Sequence, residues 1–559
     1  MAGEFQFAST ERRGVAVVNS ALWAAAGDAI GWITELSRGP DGVAYRSGVS
    51  RVREPIAWQR TIGGRGGPRV DLPAGTYSDD TQLRLSVCRS IRGDGSFDAE
   101  SFAKIEMTVW PSYSLGGGLG TKAAATNLAR RSVNWFSNFF DNGGQEYVNG
   151  GGNGAAMRVQ PHVWSTRSDD GETLLLNVLR DALVTHGHPQ GFCGAIFHAA
   201  ALADTLANFE VPQPRNWHRF VDLFRSVPRL IDSDPQLSAF WRSAWEKSAG
   251  VSLHAAIERT IDDAHDDLRG VLADIESVGP RTYHTILTRL GCLSGRFRGA
   301  GFKTALAALA LSHLYRHSNV GEALVEAANE LNSDTDTIAT MAGALLGAAA
   351  VSVPEWQIQD REYIIREAQR LNSIAESRPE DSFNYPDLSH WNPPATQNAA
   401  LAKFKDGLAI AGLGQLSLKG PEYRSGDAVW QWCSLPFGQT ILAKRRIDIV
   451  DEMDEAQLPG PRLRTRERSS NKRDNQTTLP FADSKNEQHR NNRVNLVKRK
   501  SETDFIDALS DEAIYSHFDN ETIGRLFNEC VDATQSVNAA IGFAAIVAKA
   551  KIARKRRNR

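Results

Sequence analysis

Paired cysteines are missing from this 559-residue sequence: Cys88, Cys193, Cys292, Cys433 and Cys530 lie far apart, with no Cys-x-x-Cys pair. An odd count at such spacings argues against a disulfide framework and a zinc ribbon, and leaves reduced, buried thiols as the expectation. The opening MAGEFQFASTERRG has no apolar stretch before a cleavage site, so no signal peptide is expected. Apolar runs such as residues 305–314 are too short to cross a bilayer, which points to a cytoplasmic protein with no membrane contact. Charge of one sign is lacking as well. With 64 Lys and Arg against 66 Asp and Glu, the formal net charge is −2, so the chain as a whole is no electrostatic binder of nucleic acid. Alternating β-branched runs with hairpin signals are nearly absent from residues 1–350, and no internal repeat of fixed period is present.

What is there reads as helices. Residues 15–30, 81–91, 101–109, 121–131, 173–184 and 194–206 carry apolar side chains at helical spacing, each set off by Gly, Pro, Asp or Ser. The small-residue stretches 24–27, 305–310 and 342–350 would let helix axes approach closely. The expected fold class is therefore all-α, a compact orthogonal helical bundle. The main domain is placed at 14–355, with a more charged helical insert at about 211–283 holding Trp217, Trp241 and Trp245. A helical extension is expected over 356–445, then a disordered basic linker over 446–502, then a small helical segment over 503–559 with a basic tail.

Two short acidic clusters stand at predicted helix starts. Ser78, Asp79 and Asp80 head the run TQLRLSVCRSI. A helix N-terminus favours carboxylates and capping explains one of them; two in a row beside a hydroxyl also suit a hard divalent cation. Asp334-Thr335-Asp336-Thr337 heads IATMAGALLGAAA. In an extended segment its two Asp would point to one side, with the Thr337 hydroxyl as a further oxygen. No Gly and closing Glu follow at EF-hand spacing. The clusters make one site only if their helices converge. Between them, GGGNGAAMR (150–158) is a Gly-rich loop whose amides can be aimed at an anion. A second, LGGGLGT (115–121), runs into a helix, and its Gly117 and Gly118 could cradle a phosphate. Neither fits a P-loop or a Rossmann fingerprint.

Taken in order, GDAIGWITEL, YSDDTQ, GGGNGAAMRV, THGHPQG and NSDTDTIATMAGALLGA resemble the ADP-ribosylglycohydrolase family of the dinitrogenase-reductase-activating type, over roughly residues 14 to 350. The resemblance implies an all-α fold, two Mg²⁺ or Mn²⁺ ions, and hydrolysis of the N- or O-glycosidic bond that joins ADP-ribose to a protein side chain, nucleic acid or small molecule. It implies that Ser78, Asp79, Asp80, Asp334, Asp336 and Thr337 hold the metals, and that Glu35 is a mobile acidic residue beside them. Glu35, Asp79 and Asp336 are then the candidates for catalytic acid and base. Gly152, Asn153 and Gly154 would lie along the ADP-ribose and His186 would touch it, whereas His188 has no counterpart. Some relatives stack adenine on an aromatic beside the Asn-Gly turn. Here Gly151 stands there, leaving Tyr147 as the candidate. Gly27 and Gly31 of GDAIG are expected to permit tight helix packing, and Asp28 to bond to neighbouring backbone.

Two other readings remain at this stage. One is a module that binds ADP-ribose without cleaving it. The other is a scaffold whose basic segment within 440–559 contacts nucleic acid or another anionic partner.

Overall fold

Helix α1 (Ala2–Thr34) forms the axis of the main domain, because its sequence from Ala16 onward is apolar on nearly every side and such a helix is stable only when enclosed. By length and composition the stretch Glu11–Thr34 could cross a membrane; in the protein, 83% of its most apolar window is buried. The computed structural model describes residues 2–142, 144–277, 279, 281–293, 295–448, 451–460, 502–534 and 537–557. Most of the basic linker expected over 446–502 lies outside them. Contacts divide the chain into two units, Met1–Asp232 with Trp241–Arg466 and Ser233–Phe240 with Glu467–Arg559.

The all-α bundle is present in the larger unit. Its principal helices are α2 (Asp79–Ser90), α3 (Leu119–Leu128), α4 (Pro189–Asn208), α5 (Gly301–Leu314), α6 (Thr335–Ala349) and α7 (Arg361–Ala375). Helix α6 packs along α1 and against α5, and α5 packs on α4. Between α4 and α5, short helical turns lead into the long amphipathic helix Leu253–Glu276, with Trp217, Trp241 and Trp245 buried. A small hairpin, β1 (Trp58–Thr61) with β2 (Arg69–Leu72), follows α1.

Glycine sets the distance between α1 and α6. A methyl group at Gly27 would lie 2.5 Å from the Ala339 carbonyl carbon, and one at Gly343 would lie 2.8 Å from that of Trp23. At Gly31 it would overlap the Thr335 carbonyl oxygen and lie 2.5 Å from Asp336 Cα. The substitution Gly31→Ala is therefore expected to lower stability by about 1–3 kcal/mol through overpacking. It should also shift Asp336, so divalent-cation affinity should fall together with the urea midpoint. A lowered midpoint with unchanged affinity would show that the contact serves packing alone.

The helical extension expected over 356–445 is corrected. Helix α7 is there, but residues 401–446 form a five-stranded antiparallel meander: β3 (Leu401–Phe404), β4 (Gly407–Ile410), β5 (Gly414–Ser425), β6 (Ala428–Ser434) and β7 (Thr440–Arg446). The period-2 signal fails because β6 is covered on both faces: Val429 and Cys433 are buried on one side, Trp430 and Trp432 on the other. The turn chemistry is legible in retrospect. Lys405, with φ +51°, precedes Asp406-Gly407, and Gly426, with φ +59°, occupies the two-residue loop between β5 and β6.

The smaller unit contains α8 (Glu502–Tyr515), α9 (Asn520–Thr534) and α10 (Val537–Arg557). Leu509, Leu526, Cys530 and Phe543 lie in its own apolar core.

Candidate active site

The start of α2 is capped twice, and neither cap uses Asp79 or Asp80. Ser78 Oγ accepts the Asp80 N–H at 3.4 Å. Asp28, on α1, accepts the N–H groups of Ser78 and Thr81, each at 2.8 Å. Capping therefore accounts for Ser78 and Asp28 and leaves the next two carboxylates with another task. Asp79 Oδ1 accepts the Gly117 N–H at 2.8 Å. Asp80 Oδ2 accepts from the Thr337 hydroxyl at 3.4 Å, while its buried Oδ1 has no hydrogen-bond partner.

The Thr337 contact joins the two clusters. Asp334 is the N-cap of α6 and Asp336 lies in its first turn, so the pair is presented by a helix start rather than by the extended segment expected from its alternation. Ligand oxygens of Glu35, Asp334 and Asp336 lie within 4.8 Å of one another. Thus α1, α2 and α6 bring five carboxylates to one cleft of about 1150 Å³, lined among others by Glu35, Asp79, Asp80, Asp334, Asp336 and Thr337. Ser78 lies outside the lining, and its Oγ takes part in the cap.

Like charges gathered out of water raise one another's pKa values. Burial, followed by the charges of Glu35 and Asp28, pushes Asp79 up to about 7. Asp80 and Asp336 are pushed well above the usual carboxylate range and Asp334 is raised, again by burial first and acidic neighbours next. Nearby cations offset part of this, among them Lys122 at Asp79 and Arg298 at Asp334. Arg84, buried on α2, lowers the Asp80 value, and Arg60 on β1 meets Glu35 Oε2 at 3.0 Å while lying over Trp32. The orphaned Asp80 oxygen and the excess of oxygen donors fit a hard divalent cation.

The glycines of the 150–158 loop are explained by packing rather than by positive φ. None of Gly150, Gly151, Gly152 and Gly154 has positive φ. The loop needs their small size: a methyl at Gly154 would lie 3.0 Å from Thr121 Oγ1 and 3.1 Å from His186 Cε1. Asn153 Nδ2 donates to Asp334 Oδ2 at 2.9 Å, so this residue positions the second acidic cluster. Gly117, with φ +93°, spends its amide on Asp79, and Gly118 is the N-cap of α3. Gly117, Gly118, Gly152, Asn153, Gly154 and His186 all line the cleft.

Behind the loop, Arg158 donates to the Gly154 carbonyl and to Thr185 Oγ1, both at 2.9 Å. The Thr185 hydroxyl, which accepts from Arg158, is also hydrogen-bonded to His186 Nδ1 at 2.7 Å, and the ring's Nε2 faces Gly152. Burial and the Arg158 charge lower the His186 pKa to about 3, so the ring is neutral at physiological pH. His188 Nδ1 caps α4 by accepting the Gln190 N–H at 3.1 Å.

Tyr147, the candidate for adenine stacking, is corrected to a core residue. It is buried, donates its hydroxyl to the Leu183 carbonyl at 2.6 Å, and packs edge-on against Phe139 and Phe140. The aromatic side chains lining the cleft are Tyr113, Phe297 and Trp430. Arg60, Phe297 and Lys444 went unnoticed in the sequence, and Trp430 was read only as part of the C-terminal extension, since none of them belongs to an acidic or glycine-rich motif.

Comparison with known proteins agrees with the motifs. The ADP-ribosylglycohydrolase family profile matches residues 15–382. An uncharacterized protein of Archaeoglobus fulgidus is 25% identical over 317 residues, which span 55% of this chain and 83% of that protein. A solved structure named "ADP-ribosylglycohydrolase-related protein complex" aligns with a TM-score of 0.41 and 19% identity, over 65% of this chain and 99% of that one. The profile extends across α1, both acidic clusters and the glycine loops, and with that extent of match the chain belongs to the ADP-ribosylglycohydrolase family.

Proposed function

We propose that this protein is a divalent-cation-dependent hydrolase that frees ADP-ribose from an acceptor by cleaving the N- or O-glycosidic bond at the anomeric carbon. The observation that carries the reading is the meeting of Glu35, Asp79, Asp80, Asp334 and Asp336 in one cleft, with an Asp80 oxygen left without a hydrogen-bond partner. Asp79, Asp80, Asp334, Asp336 and Thr337 would hold two Mg²⁺ or Mn²⁺ ions. Such ions supply Lewis-acid stabilisation of charge on the ribose oxygens and on an attacking water.

The chain's own residues do the rest. In the reaction, water adds to the anomeric carbon as the bond to the acceptor breaks, through an oxocarbenium-like transition state. One proton leaves the water and one reaches the departing acceptor atom. Glu35, held by Arg60 and partly open to the cleft, is the carboxylate placed to move a proton at the reacting oxygen. Asn153 and the Gly117 amide fix Asp334 and Asp79 so that the donors need no rearrangement when substrate enters. The His186 ring, neutral and anchored through Thr185, offers a ring nitrogen for hydrogen bonding to the ligand rather than a proton for transfer.

A release assay over ADP-ribosylated arginine, serine and phosphate-terminated acceptors tests this. Free ADP-ribose should appear from at least one of them. Tight binding of ADP-ribose with no release from any acceptor would instead favour a binding module.

A further inference from the structure

The family profile ends at residue 382, yet the cleft wall does not. Trp430 and Lys444, from strands β6 and β7, line the same cavity as the acidic cluster. They are directly opposite each other in the β6–β7 register, and the Lys444 ammonium sits 5.0 Å from the Trp430 ring centroid. The sheet is fastened to the β1–β2 hairpin: Tyr423 Oη donates to Asp71 Oδ2 at 3.2 Å and Trp432 Nε1 to the Asp71 carbonyl at 3.3 Å. Gly63, at φ +90° beyond β1, has no side chain because a methyl there would lie 2.6 Å from Trp430 Cζ2. The same hairpin carries Arg60, the partner of Glu35.

Lys444 thus stands in the wall of a cleft whose floor is acidic, half-buried and over an aromatic face. It forms no ion pair with a carboxylate among the described residues. Most other cations near the cluster have anionic neighbours: Arg60 has Glu35, Arg84 has Asp28 and Asp80, Lys122 acts on Asp79 and Arg298 on Asp334, whereas Arg296, which also lines the cleft over the Phe297 ring, is exposed to solvent. A half-desolvated ammonium held in place without a partner is arranged to meet a negative group that arrives with the ligand.

We propose that Lys444, braced by Trp430, is a phosphate-reading substrate contact supplied by the C-terminal sheet. This rests on the ADP-ribose reading above. The phosphate is either the pyrophosphate of ADP-ribose or a phosphate on the acceptor, and the shared chemistry is an anionic phosphoryl oxygen facing a lysine point charge.

The test uses the full chain with Mg²⁺ present and compares wild type, Lys444→Met and Lys444→Arg, after thermal melting confirms that all three fold. Binding of ADP-ribose and of adenosine is measured by calorimetry. Release is followed from a phosphate-terminated ADP-ribosylated oligonucleotide and from an ADP-ribosylserine peptide. If the pyrophosphate is read, Lys444→Met weakens ADP-ribose binding by about tenfold or more, leaves adenosine unchanged, and Lys444→Arg restores most of the loss. If an acceptor phosphate is read, ADP-ribose binding holds while KM rises for the oligonucleotide and not for the peptide. Equal behaviour of Lys444→Met and wild type in every arm overturns the proposal. Wild-type protein that binds ADP-ribose but releases none refutes the hydrolase reading alone; wild-type protein that fails to bind ADP-ribose refutes both.

Discussion

Asp336→Asn is expected to abolish ADP-ribose release while leaving the metal-free protein at least as stable as wild type. Asp336 is buried in the first turn of α6, close to Glu35 and Asp334, and its pKa is raised by burial and by Glu35, Asp80 and Asp334. Replacing one of these mutually repelling carboxylates by a neutral group of the same shape relieves the folded state. The same change removes an oxygen anion from the site proposed for the cations. Residues that merely support a metal ligand are worth about 10- to 100-fold in affinity or activity. A direct ligand should exceed that, and Asp80→Asn should behave alike because Asp80 closes the cluster from α2. Steady-state release at saturating Mn²⁺, paired with a melting curve in EDTA, reads both halves of the prediction. Loss of activity accompanied by a lower metal-free melting point would mean that Asp336 is a structural residue.

The second large effect concerns stability rather than catalysis. Arg158 is fully buried, 2.8 Å from Asp181 Oδ1, and also donates to the carbonyl of Asp181, the carbonyl of Gly154 and the hydroxyl of Thr185. Arg158→Met should destabilise the main domain by about 3–5 kcal/mol, because it leaves Asp181 as a buried charge short of its partner. Burial alone would push the Asp181 carboxyl up; Arg158 and His162 outweigh it and hold it below the ordinary range. In wild type that depressed value contributes stability at pH above the unfolded carboxylate value, which is lost as pH falls through the folded value. In the variant the burial effect is no longer outweighed by Arg158, so Asp181 takes up a proton more readily on folding. The gap between variant and wild type should therefore narrow as pH is lowered from about 7 toward about 4. Urea denaturation across that range measures it. A constant gap would show that the loss comes from packing and the remaining hydrogen bonds.

The two acidic clusters of the candidate site were legible in the sequence because each is local. Ser78-Asp79-Asp80 and Asp334-Thr335-Asp336-Thr337 carry their meaning in four residues or fewer, and each heads a helix with a plain apolar period. Their convergence was not readable. It depends on the closeness of α1 and α6, which Gly27, Gly31 and Gly343 permit at separations no linear pattern encodes. Roles within motifs were also blurred. Ser78 caps α2 and Asn153 holds Asp334, because a short polar residue serves backbone or ligand equally well, whereas Asp28 bonds to backbone as expected.

The C-terminal sheet was misread for a different reason. A strand buried on both faces loses the alternation that marks a strand, and residues 428–434 therefore passed for part of a helical segment. With that sheet went the whole Trp430–Lys444 wall, since its place in the cleft follows from cross-strand register and docking on the β1–β2 hairpin.

As proposed above, the acidic clusters form one cation site that serves hydrolysis of an ADP-ribose linkage. Its most direct measurement is release of ADP-ribose, quantified by mass spectrometry, from the best acceptor in three conditions: with Mg²⁺ or Mn²⁺, after EDTA, and after the cation is restored. Release that stops in EDTA and returns with the cation is the predicted result. Release at an undiminished rate in EDTA would contradict it.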